Sequence, residues 1–200
     1  MGIYSAVVVS GVNQTIKLSD IPVPNDLSVL VLQNEINSDA NFEVVKKVPK
    51  STYVIFNAAP ALSPQKDFFE RIDLLIVNQL EAKMLLGKES ATFDYFGALK
   101  KLQNLGPKEV IITLGADGYM GICKDGEIFS KPGIKVDVLS THGAGDSFVG
   151  TLAAFICKGE HISVAAQYAQ ASSALHVKTP IDQREKIKEV DIENMFLLNQ

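Results

Sequence analysis

The sequence predicts an α/β protein: three layers, α/β/α, built in Rossmann-like fashion around a mostly parallel sheet. Three observations predict it. Short β-rich runs alternate with longer runs of helical periodicity. Several of the short runs are apolar along their whole length, the pattern of strands buried on both faces. No repeat, low-complexity stretch or interdomain linker interrupts the alternation, so right-handed βαβ units in one domain over residues 1–200 are expected.

The elements follow in order. "YSAVVV" (4–9) and "LSVLVLQ" (27–33) read as strands, "ANFEVVKKV" (40–48) as a helix and "TYVIFN" (52–57) as a strand. "DLLIVN" (73–78) is the next strand. The helical "LEAKMLLG" follows, with Gly87 as C-cap, and then "FDYFGALKKLQNLG" (93–106), ending at Gly106. "EVIITLG" (109–115) is a strand, and "GYMGICKDGEIFS" (118–130) is a hairpin turned at Asp125 and Gly126. Two helices close the pattern, from Asp146 to about Lys158 and from Ile162 to about Val177. Pro22, Pro24, Pro60 and Pro64 punctuate loops.

Composition narrows the function classes. The 46% apolar content fills a core for 200 residues, and 21% charged residues suit a soluble surface. A net charge of -4 without a local Lys/Arg cluster gives no footprint for nucleic acid. No apolar run approaches the roughly 18 residues that suggest a bilayer span. The start "MGIYSAVVVS" lacks a basic region and a cleavage pattern, and Ala6 breaks the myristoylation pattern, so no leader is expected. Cys123 and Cys157 form no CxxC and read as free buried thiols in a reducing cytoplasm.

The chemistry concentrates in "STHGAGDSFVGTLAAF" (140–155). Gly143, Ala144 and Gly145 precede Asp146 and an apolar helical run. In open α/β sheets, ligands sit at the carboxyl ends of strands and at helix N-termini. Glycines there let N–H groups converge on an anion without Cβ obstruction. The helix start adds partial positive charge. Asp146 could take a proton from a hydroxyl that attacks a phosphoryl group held by these amides. The same residues also make an ordinary helix start, with Ser147 capping and Phe148 packing. A Walker A loop is excluded, because "LGKES" lacks the required earlier glycine.

Three stretches join this loop. "VNQLEAKML" places Asn78 and Glu81 just past a strand: Asn78 to bond a phosphate or sugar, Glu81 to hold Mg²⁺ through water, or the two as a capping box, or both. "IITLGADGY" ends a strand in Thr113 and Gly115 with Gly118 following, which is also a plain turn pattern. "FNAAPAL" puts Asn57 and Pro60 at another strand end.

In this order the stretches resemble the ribokinase-like (PfkB) family of carbohydrate and nucleoside kinases. "STHGAGDSF" is similar to the family's acid-Thr-Thr-Gly-Ala-Gly-Asp-Ser/Thr-Phe run, Asn78 to Glu81 to its Asn-x-x-Glu motif, and Thr113 to Gly118 to its nucleotide turn. "NAAPA" is similar to the Asn-Pro-Ala-Pro-Ala of ribokinases. "VLQNEI" resembles the strand end carrying a sugar-contacting Glu, here Glu35, and "SGVNQTIKLSDI" the family's Gly-Ala-Asn loop. "AQYAQASSALHV" resembles the helix flanking adenine, which places Gln170 near the base.

The resemblance implies an ATP-dependent transfer of a phosphoryl group to a sugar, nucleoside or related alcohol. Asp146 would be the base, and the amides of Gly143, Ala144 and Gly145 the anion hole. Asn78, Thr113, Gly115, Gly118 and Gln170 would serve the nucleotide, Glu35 and Asp146 the substrate, and Glu81 would organise Mg²⁺. It also implies that the family's N-terminal substrate motif and lid are missing, so that an oligomer or a partner would cover what they leave open. Ser140 and His142 replace an acid and a Thr that contribute to a monovalent-cation site in ribokinases, which counts against K⁺ activation. The rival expectation is an inactive nucleotide-binding remnant or interaction module.

Overall fold

The computed structural model describes residues 11–17, 19, 21–62, 66–87 and 93–200. The strand expected at 4–9 lies outside the described residues. Among the described residues six strands form one sheet in sequence order: β1 (Val29–Gln33), β2 (Tyr53–Asn57), β3 (Leu74–Asn78), β4 (Glu109–Thr113), β5 (Tyr119–Ile122) and β6 (Ile128–Lys131). The first four are parallel, and β5 and β6 run antiparallel to their neighbours. The hairpin turns where expected, with Gly126 at φ +90° and the Asp125 carboxylate accepting from the Glu127 N–H at 3.0 Å.

The crossovers carry α1 (Ser38–Lys47), α2 (Lys66–Phe69), α3 (Gln79–Leu85) and α4 (Tyr95–Gln103). After the hairpin the chain runs through α5 (Ala144–Cys157), α6 (Ile162–Lys178) and α7 (Glu189–Leu197). The short α2 and the terminal α7 were not anticipated, and α4 stops at Gln103 rather than Gly106. Gly106 does adopt a positive φ of 137°, and a Cβ there would meet the Glu70 backbone at 2.8 Å. No described helix is long and apolar enough to cross a membrane.

Strand alternation feeds two cores. Phe56, Leu75, Val77, Val110 and Ile112 pack against α1 to α4. Ile55, Leu74, Ile76 and Ile111 face Phe148, Val149 and Leu152 of α5 and the alanines of α6. Strands covered on both faces must be apolar at successive positions, which is why these runs are unbroken. A stack of Phe155, Tyr168 and Phe196, with ring centroids 3.9 and 4.1 Å apart, joins α5, α6 and α7. Cys123 is buried and Cys157 exposed, both free, so the expectation of two buried thiols holds for one. Cys157 ends α5 away from the buried stripe formed by Phe148, Leu152 and Phe155.

Candidate active site

Parallel strands point one end at a common edge, and here each ends in a polar side chain: Gln33, Asn57, Asn78 and Thr113. Gln33 is in register with Asn57, and Asn78 with Thr113. A cleft of about 170 Å³ opens at this edge, lined by Asn57, Asn78, Glu81 and Thr113 on one side and by Gly143 to Asp146 on the other.

The loop reaches the cleft through Gly143, the residue before α5, at φ +76°. The left-handed backbone favours glycine there, and a Cβ would also sit a tight 3.0 Å from the His176 ring. A Cβ on Gly145, by contrast, would meet nothing within 4 Å. The helix start has no side-chain cap: Ser147 does not cap, but shares a 2.9 Å hydroxyl contact with Ser172 of α6. Phe148 packs, as expected.

The amides divide. The Ala144 N–H donates to the Thr141 carbonyl at 3.2 Å. Those of Gly143, Gly145 and Asp146 have no acceptor among the described residues. Asp146 is exposed on the third residue of α5, where a negative charge meets the positive end of the helix. Its Oδ1 accepts from the Gln33 side-chain amide at 3.2 Å.

Across the cleft, Asn78 and Glu81 form a full capping box. The Asn78 side chain accepts from the Glu81 N–H at 2.9 Å, and Glu81 Oε2 accepts from the Asn78 N–H at 2.8 Å. Glu81 is 9% exposed and pairs with no cation among the described residues. Burial pushes its carboxyl above the ordinary range, against the lowering effect of the two Asn78 bonds. Its second oxygen has no described protein partner. One buried carboxylate with a spare oxygen and no counter-charge fits a largely hydrated Mg²⁺.

The remaining predicted residues lie outside this lining. Glu35 is exposed in the turn beyond β1. Gly115 and Gly118, at φ +61° and +98°, shape the turn after β4. Gln170 on α6 donates to the Pro132 carbonyl at 2.8 Å. The sequence reading missed Gln33, Thr141 and His176, which contact this loop. Only Gln33 carried a signal, as a polar residue closing an apolar strand.

A mostly parallel α/β sheet with a glycine-led helix and a carboxylate at its carboxyl edge is a ligand-binding architecture. Residues 26–187 match the pfkB family of carbohydrate kinases. The chain belongs to this family. It is 27% identical over 180 residues to the deoxyribokinase of Salmonella typhi, covering 86% of this chain and 58% of that one. The ribokinase of Thermotoga maritima superposes with a TM-score of 0.83 at 28% identity, over 96% of this chain and 65% of its own. The ribokinase of Arabidopsis thaliana, solved with ribose and ATP, gives 0.77 at 25% identity, over 84% and 55%. The chain thus spans a little over half to about two thirds of the length of these relatives.

Proposed function

We propose that the chain is an ATP-dependent phosphotransferase acting on a hydroxyl of a sugar or related small alcohol. The observation that carries this reading is the exposed Asp146 carboxylate beside unspent Gly143 and Gly145 N–H groups in one cleft. Asp146 accepts the proton of the acceptor hydroxyl as its oxygen bonds to the γ-phosphorus. The bond from that phosphorus to the bridging oxygen breaks, and ADP leaves. The two glycine amides hold the phosphoryl oxygens as charge redistributes, which is where most of the acceleration arises in such transfers. Ala144 joins the anion hole only after giving up Thr141.

Asn78 and Thr113, which line the cleft across from this loop, are assigned to the nucleotide phosphates, with Gly115 and Gly118 shaping the adjoining turn. Gln170 is assigned to the base side, and Glu35 to the acceptor side. Mg²⁺, when bound, would neutralise phosphate charge, and Glu81 would hold it through water with its spare oxygen. ATP is the phosphoryl donor favoured by the Arabidopsis relative, which was solved with it. A cytoplasmic site accords with two free thiols. Among the described residues β1 is the outer strand, and Val31 on it is 40% exposed, which supports a further segment, partner or second copy at that edge.

The test is ADP release from ATP and Mg²⁺ against a panel of sugars and nucleosides. Release that depends on one acceptor class supports the proposal. ATP binding with no acceptor ever phosphorylated would favour an inactive nucleotide-binding remnant.

A further inference from the structure

We propose that Arg184, seconded by His176, is a positioning residue that aims the Gly143 N–H into the cleft. This rests on the anion-pocket reading above. Arg184 follows α6 in a short turn and does not line the cleft. Its guanidinium donates to three carbonyls: Thr179 at 3.2 Å, Ser140 at 3.0 Å and His142 at 2.8 Å. His176 Nε2 lies 2.9 Å from both the His142 carbonyl and Arg184 Nη1. The same segment hangs from α6, since the Leu139 and Ser140 N–H groups both donate to the Val177 carbonyl, at 2.8 and 3.2 Å.

The consequence follows from peptide geometry. In a trans peptide, a C=O and the next N–H point in opposite directions. The only cis bond among the described residues is Ala59–Pro60. Drawing the His142 carbonyl toward Arg184 therefore turns the Gly143 N–H away from α6. No residue of α6 lines the cleft, whereas Gly143 does. The Gly145 N–H is set differently: Ala144 opens α5, so its carbonyl points along the helix, where the Ser173 hydroxyl also donates to it at 2.9 Å, and the Gly145 N–H faces the free N-terminal end. The cation is thus a fixed fork behind the loop, matched to several carbonyls at once.

Amide ¹H–¹⁵N spectra of the whole chain titrated with ATP test the proposal. In the wild type both the Gly143 and Gly145 resonances shift. Arg184→Ala should lose most of the Gly143 shift and keep that of Gly145, and added methylguanidinium should restore it. Ser173→Ala should leave both shifts intact, since α5 itself fixes the Gly145 N–H. Arg184→Lys keeps the charge without the fork; it should fold and give a weakened Gly143 response even where the alanine variant does not fold. An Arg184 that merely stabilised the fold would affect both glycines alike. A Gly143 shift unchanged in Arg184→Lys and Arg184→Ala overturns the positioning role. Silence of both glycines in the wild type is a different failure, that of the anion pocket itself.

Discussion

Gly143 and Gly145 stand two residues apart and are glycine for different reasons. Gly143 needs a positive φ and would push a Cβ onto His176. Gly145 lies within α5 with open space where its side chain would be. Gly145→Ala should therefore leave thermal stability equal or up to about 1 kcal/mol higher, since alanine favours a helix. Its methyl would enter the cleft and misplace the phosphoryl group, with turnover falling on the order of 100-fold. Gly143→Ala should lose stability as well, by about 1–2 kcal/mol for the left-handed backbone alone. Thermal melts and ADP release on both variants check the contrast; a Gly145→Ala enzyme as active as wild type would mean the space beside it is not used.

Among the elements, α3 shows how a structural motif and a site share residues. The capping box binds one oxygen of Glu81 and leaves the other to the cleft. Because burial raises the carboxyl, the folded state holds its proton more tightly than the unfolded chain. The sign follows: stability is highest below the unfolded value and is lost as pH rises through the raised folded one. Glu81→Gln keeps an oxygen for the Asn78 N–H and carries no such cost. Its stability relative to wild type should grow with pH across that window and then level off, as denaturant titrations at several pH values would record. A difference independent of pH would contradict the burial argument. In the presence of Mg²⁺ the same variant should bind ATP more weakly than wild type, with the gap closing when the metal is chelated, as isothermal titration would show.

Legibility also varied by element. Strands β2 to β4 were plain because both faces are covered, which leaves no polar interruption, while β1 was legible from its apolar run although Val31 is exposed. The loop from Gly143 to Asp146 was legible because its glycines and acid are contiguous. The two residues behind it were not. Arg184 lies 42 positions from His142 and meets it only because α6 runs back along α5. Nor could periodicity show that the Ala144 N–H turns to Thr141 while its neighbours do not.

For the whole molecule, the sheet is one wall with a core on each side. Leu99 and Leu152, both fully buried, belong to opposite cores. Either leucine replaced by alanine should cost about 2–5 kcal/mol. Because the two cores share every central strand, each variant should lower the denaturant midpoint in a single transition seen alike by far-ultraviolet dichroism and tyrosine fluorescence. Two separated transitions would mean that the layers fold independently. The sheet also explains why a cleft exists: four parallel strands deliver polar ends to one edge, and α5 crosses the opposite core to bring its N-terminus there.

In the proposed mechanism the Asp146 carboxylate takes the acceptor's proton beside amides that hold the phosphoryl group. Its most direct test is Asp146→Asn, compared with wild type for ATP affinity and for transfer of labelled γ-phosphate to the best acceptor. The ATP dissociation constant should be nearly unchanged and transfer reduced roughly 10²–10⁴-fold. Transfer at the wild-type rate in Asp146→Asn would contradict it.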